Sequence, residues 1–234
     1  MSGTPSRAAA PLVRFCRHCN RTHEISFDNA IRMRRWNDLK WECPHCVLTK
    51  EFPLILDPER RVAVIPLFRG MPKERFERHS GSVLAYGLMN QSRNGIPFDV
   101  AFGPELDPTV EDGALRYRHE GIAHTFPLQL KRVTRDDMDP HDELNERIAD
   151  LTRYQLDDLI VGISIERTFT LELDRVVVPK MRVMELWLIR SASPDGITWG
   201  LNGFTPGSPD GWKRVEFVYP SVLPEDQVKH LGGD

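Results

Sequence analysis

The stretch TFPLQLKRV, Thr125–Val133, decides the fold together with the segments that follow it. This stretch predicts a β-strand. Residues Asp142–Gln155 then carry apolar side chains at positions i, i+4 and i+7 with charges between them, the pattern of an amphipathic helix. The apolar run Leu159–Ile165 has the length and composition of a strand in the centre of a sheet. Strand, helix and buried strand in this order predict a mixed α/β core.

Further elements are predicted on both sides of this core. Pro72 opens a predicted helix that reaches about Asn90, because proline suits the first turn of a helix. The chain from Thr168 to Tyr219 is rich in predicted β structure, with turns at its Pro-Asp-Gly and Gly-Ser-Pro-Asp-Gly sequences. The additional predicted strands are Phe98–Phe102, Leu115–Arg118, Val183–Ile189 and Trp212–Tyr219.

Composition describes a soluble globular protein of one large or two small domains. The chain has 234 residues, of which 40% are hydrophobic and 28% are charged. No run approaches the roughly 18 to 20 apolar residues of a membrane helix, and the start lacks the apolar stretch of a signal peptide. We therefore predict a cytoplasmic protein without a membrane partner.

All four cysteines lie near the start of the chain, in two Cys-x-x-Cys pairs. Cys16 and Cys19 form the first pair, and Cys43 and Cys46 form the second. Two such pairs supply four thiolates for one tetrahedral zinc ion, and their spacing is close to that of zinc ribbons. Because the cytosol keeps thiols reduced, a structural zinc site is favoured over disulfides.

Two apolar runs follow the second pair and predict a hairpin. They are FPLILD, Phe52–Asp57, and RVAVIPL, Arg61–Leu67, joined by a charged turn. The two cysteine pairs and this hairpin resemble the CpXC domain family, a bacterial module similar to zinc ribbons. The resemblance covers roughly residues 14–67 and implies zinc binding. The first pair departs from the family because it lacks the proline that the second pair contains.

The middle of the chain resembles a nuclease core. Helix, strand with Asp99, strand with Gln129 and Lys131, helix and buried strand follow the order of the PD-(D/E)xK nuclease superfamily. The Gln-Leu-Lys triplet is similar to the Gln-x-Lys variant of Mrr-like restriction endonucleases. The resemblance implies that Asp99 is the metal carboxylate, Gln129 an oxygen ligand and Lys131 the catalytic lysine, with Mg²⁺ or Mn²⁺ bound. Glu77 on the preceding helix is an additional candidate ligand.

The spacing leaves a second candidate for the metal carboxylate. The segment between Asp99 and Gln129 is long for neighbouring strands of such a core. Asp112 is the alternative, and Leu115–Arg118 is then the intervening strand.

Charge is distributed unevenly along the chain. The formal net charge is -3, but residues 1–50 contain nine Lys and Arg residues against four Asp and Glu residues. This basic segment could bind nucleic acid, whereas a phosphodiesterase site in the acidic remainder requires basic residues gathered around Lys131. The β-rich C-terminal part is a candidate surface for a protein partner.

The predicted fold class is α+β, with an N-terminal zinc ribbon, a mixed α/β core similar to restriction endonucleases and a β-rich C-terminal extension. The predicted segments are a disordered tail (1–12), the zinc-ribbon domain (13–69), the α/β core (70–166), its β-rich extension (167–223) and a second tail (224–234). The predicted function is metal-dependent cleavage of DNA. The alternative is a non-catalytic zinc-ribbon adaptor that binds nucleic acid or protein.

Overall fold

The chain divides into two compact units, Met1–Leu39 and Lys40–Asp234. A computed structural model describes residues 12–16, 21–25, 36, 39–53, 55–57, 62–64, 71–91, 96–103, 106, 111–119, 122–167, 169–193 and 196–220. The predicted C-terminal tail and residues 1–11 of the predicted N-terminal tail lie outside these residues.

The first unit contains an antiparallel strand pair. Strand β1 (Leu12–Cys16) pairs with β2 (Arg21–Ile25). Cys16 is the last residue of β1, and its backbone pairs with that of Arg21. Cys19 lies outside the described residues, so the four-cysteine zinc site stays a prediction.

The second cysteine pair belongs to the second unit, where it begins helix α1 (Pro44–Glu51). Pro44 occupies the start of the helix, where its missing N–H leaves no helical hydrogen bond unmade. Strands β3 (Ile55–Asp57) and β4 (Val62–Val64) then form a short antiparallel pair. This pair is the hairpin predicted from the two apolar runs.

Helix α2 spans Lys73–Gln91, which agrees with the helix predicted from Pro72 to about Asn90. Its two interior glycines lie where side chains of the sheet come closest. A Cβ atom on Gly87 would lie 2.4 Å from Leu201, and one on Gly81 would lie 2.8 Å from Phe102. These glycines therefore allow the helix to pack closely on the sheet.

The core is a seven-stranded mixed sheet with the order β11-β10-β9-β8-β7-β6-β5. The pairs β7–β8 and β8–β9 are parallel, and the other neighbours are antiparallel. The strands are β5 (Phe98–Ala101), β6 (Gly113–His119), β7 (Ile122–Val133), β8 (Ile160–Ile165), β9 (Glu185–Ser191), β10 (Thr198–Phe204) and β11 (Trp212–Val218). The β-rich C-terminal part thus continues the sheet of the α/β core, and the α+β class is confirmed.

Helices cover both faces of the sheet. On one face, Leu128 and Leu130 of β7 join a buried cluster with side chains of α1 and α2. On the other face, Val133 joins a cluster with helix α3 (Pro140–Ala149) and the 3-10 turn Asp150–Arg153 that continues it. Successive side chains of β7 therefore point to different layers of the molecule.

Strand β10 is absent from the strands predicted by sequence. It contains three residues of low strand propensity, Gly200, Asn202 and Gly203. The ring of Trp187 on β9 lies against Gly203, where an added Cβ would be 2.4 Å from the ring. The glycine is thus explained by a large cross-strand neighbour, which the local sequence of β10 does not reveal.

Candidate functional site

Asp112 directly precedes β6, and its side chain accepts a backbone hydrogen bond from β7 that the backbone of β6 does not accept. The last backbone pair of β6 with β7 joins Gly113 to Leu128, so the N–H of Leu130 lies beyond the end of the pairing. The carboxylate oxygen Oδ2 of Asp112 accepts this N–H at 2.8 Å. Because the backbone N–H of Asp112 also donates to the carbonyl of Leu128, the carboxylate is held at a fixed place beside β7.

Gln129 connects Asp112 to the layer formed by α3 and the 3-10 turn Asp150–Arg153. Its amide Nε2 donates to Oδ2 of Asp112, and its Oε1 accepts the hydroxyl of Tyr154 at 3.1 Å. Tyr154 directly follows the 3-10 turn, and Arg153 of that turn donates to the same hydroxyl at 3.1 Å. A directed chain of hydrogen bonds therefore runs from the Arg153 guanidinium to the Asp112 carboxylate.

Helix α2 brings a second carboxylate to Asp112. Glu77 lies one turn inside the helix, and its side chain is 12% exposed, against 4% for that of Asp112. The Nζ atom of Lys73 lies 3.2 Å from Oε1 of Glu77 and 3.6 Å from Oδ1 of Asp112. Two largely buried carboxylates from different elements thus share one ammonium group.

The protonation of Glu77 reflects this environment. Burial, together with the charge of Asp112 nearby, raises the pKa of Glu77 from 4.5 to about 7. The ammonium of Lys73 acts in the opposite direction, and its own pKa is raised by Glu77 and Asp112. The negative charge of the two carboxylates is therefore not fully compensated near neutral pH.

Lys131 lies on the same face of β7 as Gln129, because side chains two residues apart on a strand point the same way. Its Nζ atom is 5.8 Å from the centre of the Tyr154 ring, and the guanidinium carbon of Arg153 is 5.0 Å from that centre. Two cations therefore gather around the tyrosine that binds Gln129. This local grouping supplies basic residues in a part of the chain that is acidic on average.

Asp99 has a different partner. It lies on β5 opposite Arg116 of β6, and its Oδ2 accepts from two nitrogens of that guanidinium, at 3.0 and 2.6 Å. The guanidinium also stacks 4.3 Å from the centre of the Trp41 ring. The structure thus brings Asp112, Glu77 and Gln129 together, and it places Asp99 in an ion pair with Arg116.

The donor set suits a hard divalent cation. Asp112 and Glu77 offer carboxylate oxygens and Gln129 offers an amide, which are the donor types that Mg²⁺ and Mn²⁺ prefer. The amide can turn either its oxygen or its nitrogen to Asp112, since the Tyr154 hydroxyl accepts as well as donates hydrogen bonds. In the part of the chain that the structure describes, no three Asp, Glu, His or Cys side chains form a metal-binding group, so this set combines two carboxylates with one amide.

Cys43 and Cys46 form a separate pair of thiols at the N-terminus of α1. Both are free and exposed, and the Cys43 side chain is hydrogen-bonded to that of Cys46. This hydrogen bond and the charge of Cys43 raise the pKa of the Cys46 thiol. The side chain of Cys16 and all of Cys19 lie outside the described residues.

Two contributors to the site were not predicted from sequence. Lys73 precedes Glu77 by four residues on a predicted helix, and this spacing is a signal for an ion pair. Tyr154 lies near the end of the predicted helix Asp142–Gln155, and nothing in the local pattern distinguishes it from a core aromatic residue.

Comparisons of this chain with models of protein families, with curated proteins and with solved structures find no match. None of the helices within the described residues is long and apolar enough to cross a membrane.

Proposed function

We propose that this protein is a metal-dependent nuclease that cleaves phosphodiester bonds in DNA, with its site at Asp112, Glu77, Gln129 and Lys131. The observation that carries the proposal is the meeting of Asp112, Glu77 and Gln129 from three separate elements, with Lys131 next to Gln129 on the same face of β7. The order of helix α2, strands β5 to β7, helix α3 and strand β8 supports it, because it follows the predicted nuclease-like order.

Asp112 is the proposed metal carboxylate in place of Asp99. Its carboxylate is oriented by the Leu130 N–H and by Gln129, and it lies beside Glu77. The charge of Asp99 is already compensated by Arg116. A divalent cation bound here would polarise a phosphate oxygen and acidify a water molecule.

The remaining residues have separate roles in this proposal. Gln129 would join the carboxylates as an oxygen donor with its amide turned so that Oε1 faces Asp112. The Tyr154 hydroxyl, which donates to Oε1 in the metal-free protein, would then accept from Nε2 and hold this orientation. Lys131 supplies a point charge that orients the attacking water or stabilises negative charge on the phosphate in the transition state. Arg153 beside it is exposed and provides a second charge for the DNA backbone.

Cleavage of supercoiled plasmid DNA by the full chain tests the proposal. We expect nicking with Mg²⁺ or Mn²⁺, none without a divalent cation, and a loss of about 100-fold or more in Lys131→Ala. Lys213→Ala is the matched control, because Lys213 is an exposed lysine on the edge strand β11. It should cleave as the wild type does.

Full cleavage by a folded Lys131→Ala variant would overturn the site. Absence of cleavage of DNA with either metal, combined with a stable protein partner in a pull-down, would instead support the non-catalytic adaptor predicted as the alternative from sequence.

We also propose that Cys16, Cys19, Cys43 and Cys46 bind one structural zinc ion, as the two Cys-x-x-Cys pairs and the resemblance to CpXC domains imply. The exposed, adjacent thiols of Cys43 and Cys46 support this proposal. Elemental analysis should find about one zinc per chain and clearly less in Cys43→Ser. A stably folded wild-type protein without zinc would contradict it.

A further inference from the structure

Lys73 occupies an unusual position relative to the two carboxylates. It is the first residue of α2, and its Nζ contacts both Glu77 and Asp112, at 3.2 and 3.6 Å. The lysine side chain is 73% exposed, whereas those of Glu77 and Asp112 are 12% and 4% exposed. The Lys73 ammonium is therefore open to solvent, whereas the two carboxylates that it contacts are largely buried.

An ordinary helical ion pair does not account for this geometry. A lysine and a glutamate four residues apart on a helix form a weak ion pair that needs no third partner. Here the ammonium also reaches Asp112, which lies outside the helix just before β6. The Lys73 Nζ atom therefore lies between the two acids, in the position that any cation shared by both carboxylates must occupy.

We propose that Lys73 is the counter-cation of the metal-free site and that a divalent cation displaces it. This inference rests on the proposed function, because it concerns the same carboxylates. An ammonium group and a divalent cation repel each other at such distances, so both cannot remain between Glu77 and Asp112. The long flexible stem of lysine allows the ammonium to move into solvent without a change in the helix.

Displacement predicts that Lys73 weakens metal binding, the opposite of what a lysine that supports the site would do. Removing the Lys73 ammonium removes a cation that competes with the metal ion for Glu77 and Asp112. The expected gain in affinity is small, because Lys73 is exposed and exposed ion pairs are weak. The variant Lys73→Met should therefore bind Mn²⁺ about 2- to 5-fold more tightly than the wild type, whereas Lys73→Arg should bind it about as the wild type does.

The test is a titration of Mn²⁺ into the 234-residue chain, in which electron paramagnetic resonance measures the free ion. The buffer is at about pH 8, above the Glu77 pKa of about 7. Lys40→Met is the matched control, because Lys40 is 84% exposed and its Nζ lies 3.3 Å from a single carboxylate, that of Glu42. Asp112→Asn measures any background binding elsewhere in the chain.

Tighter binding in Lys73→Met, with unchanged binding in Lys40→Met, supports displacement. Equal affinity in Lys73→Met and the wild type, above the Asp112→Asn background, overturns the inference and leaves the proposed metal site intact. Weaker binding in Lys73→Met overturns it as well, because Lys73 would then support the site. Mn²⁺ binding no stronger than background in both proteins overturns the metal site of the proposed function and this inference with it.

Discussion

Two aspartates near neighbouring strands of one sheet have opposite surroundings. Asp99 on β5 is 31% exposed at its side chain and accepts both of its hydrogen bonds from the guanidinium of Arg116. The side chain of Asp112, before β6, is 4% exposed and faces a second acid, Glu77. An acid that an arginine neutralises has little left to offer a metal ion. An acid buried against another acid stabilises whichever cation reaches it.

The position of each aspartate relative to its strand determines which groups its carboxylate can reach. Asp112 is followed directly by β6, so its side chain lies beyond the last backbone pair and can accept the N–H of Leu130. Asp99 lies within the paired part of β5, where the side chain of its cross-strand neighbour is in reach. Strand ends therefore expose backbone donors that orient a carboxylate, whereas paired strands favour side-chain ion pairs.

The largest expected effect separates the basic partners of the two regions. Lys131→Met should lower the rate of DNA cleavage by about 100-fold or more, because the transition state loses its point charge. Arg116→Met should retain cleavage and lower the free energy of unfolding by about 1 kcal/mol, since it loses the Asp99 pair and the Trp41 contact. Cleavage rates and urea unfolding measure the two outcomes. The reverse pattern, loss of cleavage in Arg116→Met alone, would place the site at Asp99.

The next effect is a dependence of stability on pH that the Asp112 region has because two acids meet there. The unfolded chain ionises Glu77 near pH 4.5, whereas the folded protein keeps the proton until its pKa of about 7. Between these values the unfolded state binds fewer protons, so the free energy of unfolding falls as pH rises. The total loss from this group is roughly 3 kcal/mol.

Urea unfolding near pH 5 and near pH 8, with Mg²⁺ and Mn²⁺ omitted, measures this dependence. Glu77→Gln should lose this part of the decline, whereas Asp99→Asn should keep it. If the free energy of unfolding falls equally with pH in Glu77→Gln and the wild type, the raised pKa of Glu77 beside Asp112 does not cause the dependence.

A smaller effect is expected when Gln129 loses its support. Tyr154→Phe removes the hydroxyl that binds Gln129 Oε1 and keeps the ring beside Lys131. We expect a loss of about 10-fold in the cleavage rate, as is typical when a residue that orients a metal ligand is changed. Tyr117→Phe is the control, because the Tyr117 ring on β6 stacks on His124 and Phe126 of β7. A wild-type rate in Tyr154→Phe would mean that Gln129 needs no such support.

The smallest effect concerns DNA affinity. Arg153→Gln should weaken binding about 3-fold and reduce the salt dependence by about one phosphate contact. Arg182→Gln is the matched control, because Arg182 is 57% exposed and paired with Asp157. Fluorescence anisotropy at several salt concentrations measures both. Equal losses in the two variants would indicate a general charge effect without local contact at the site.

Sequence patterns were sufficient to predict most of the sheet and its two main helices. The amphipathic pattern before Leu159 and the apolar run after it correspond to α3 and β8, because burial on one face or on both faces imposes a visible period. Strand β10 was missed, since Gly203 makes room for the Trp187 ring of the neighbouring strand β9, and the local sequence of β10 carries no signal of this contact.

The residue types of the candidate site were predictable from the sequence. Which particular residues belong to the site was less predictable. Gln129 and Lys131 follow from a motif on one strand, Glu77 was an additional candidate ligand, and Asp112 was the alternative to Asp99. The choice between Asp99 and Asp112 depends on where β6 begins and on which side chain Arg116 contacts. Such pairings are tertiary facts, and spacing along the chain does not determine them. The contribution of Tyr154 likewise depends on how the turn after α3 packs on β7.

The most direct test of the proposed site compares the two aspartates in one cleavage assay. Asp112→Asn and Asp99→Asn change the same chemical group by the same amount, and plasmid nicking with Mg²⁺ reports on both. Asp112→Asn should lose cleavage by about 100-fold or more, because it removes a metal carboxylate, whereas Asp99→Asn should cleave within about 2-fold of the wild type. Retained cleavage in Asp112→Asn, with its loss in a folded Asp99→Asn, would contradict the assignment.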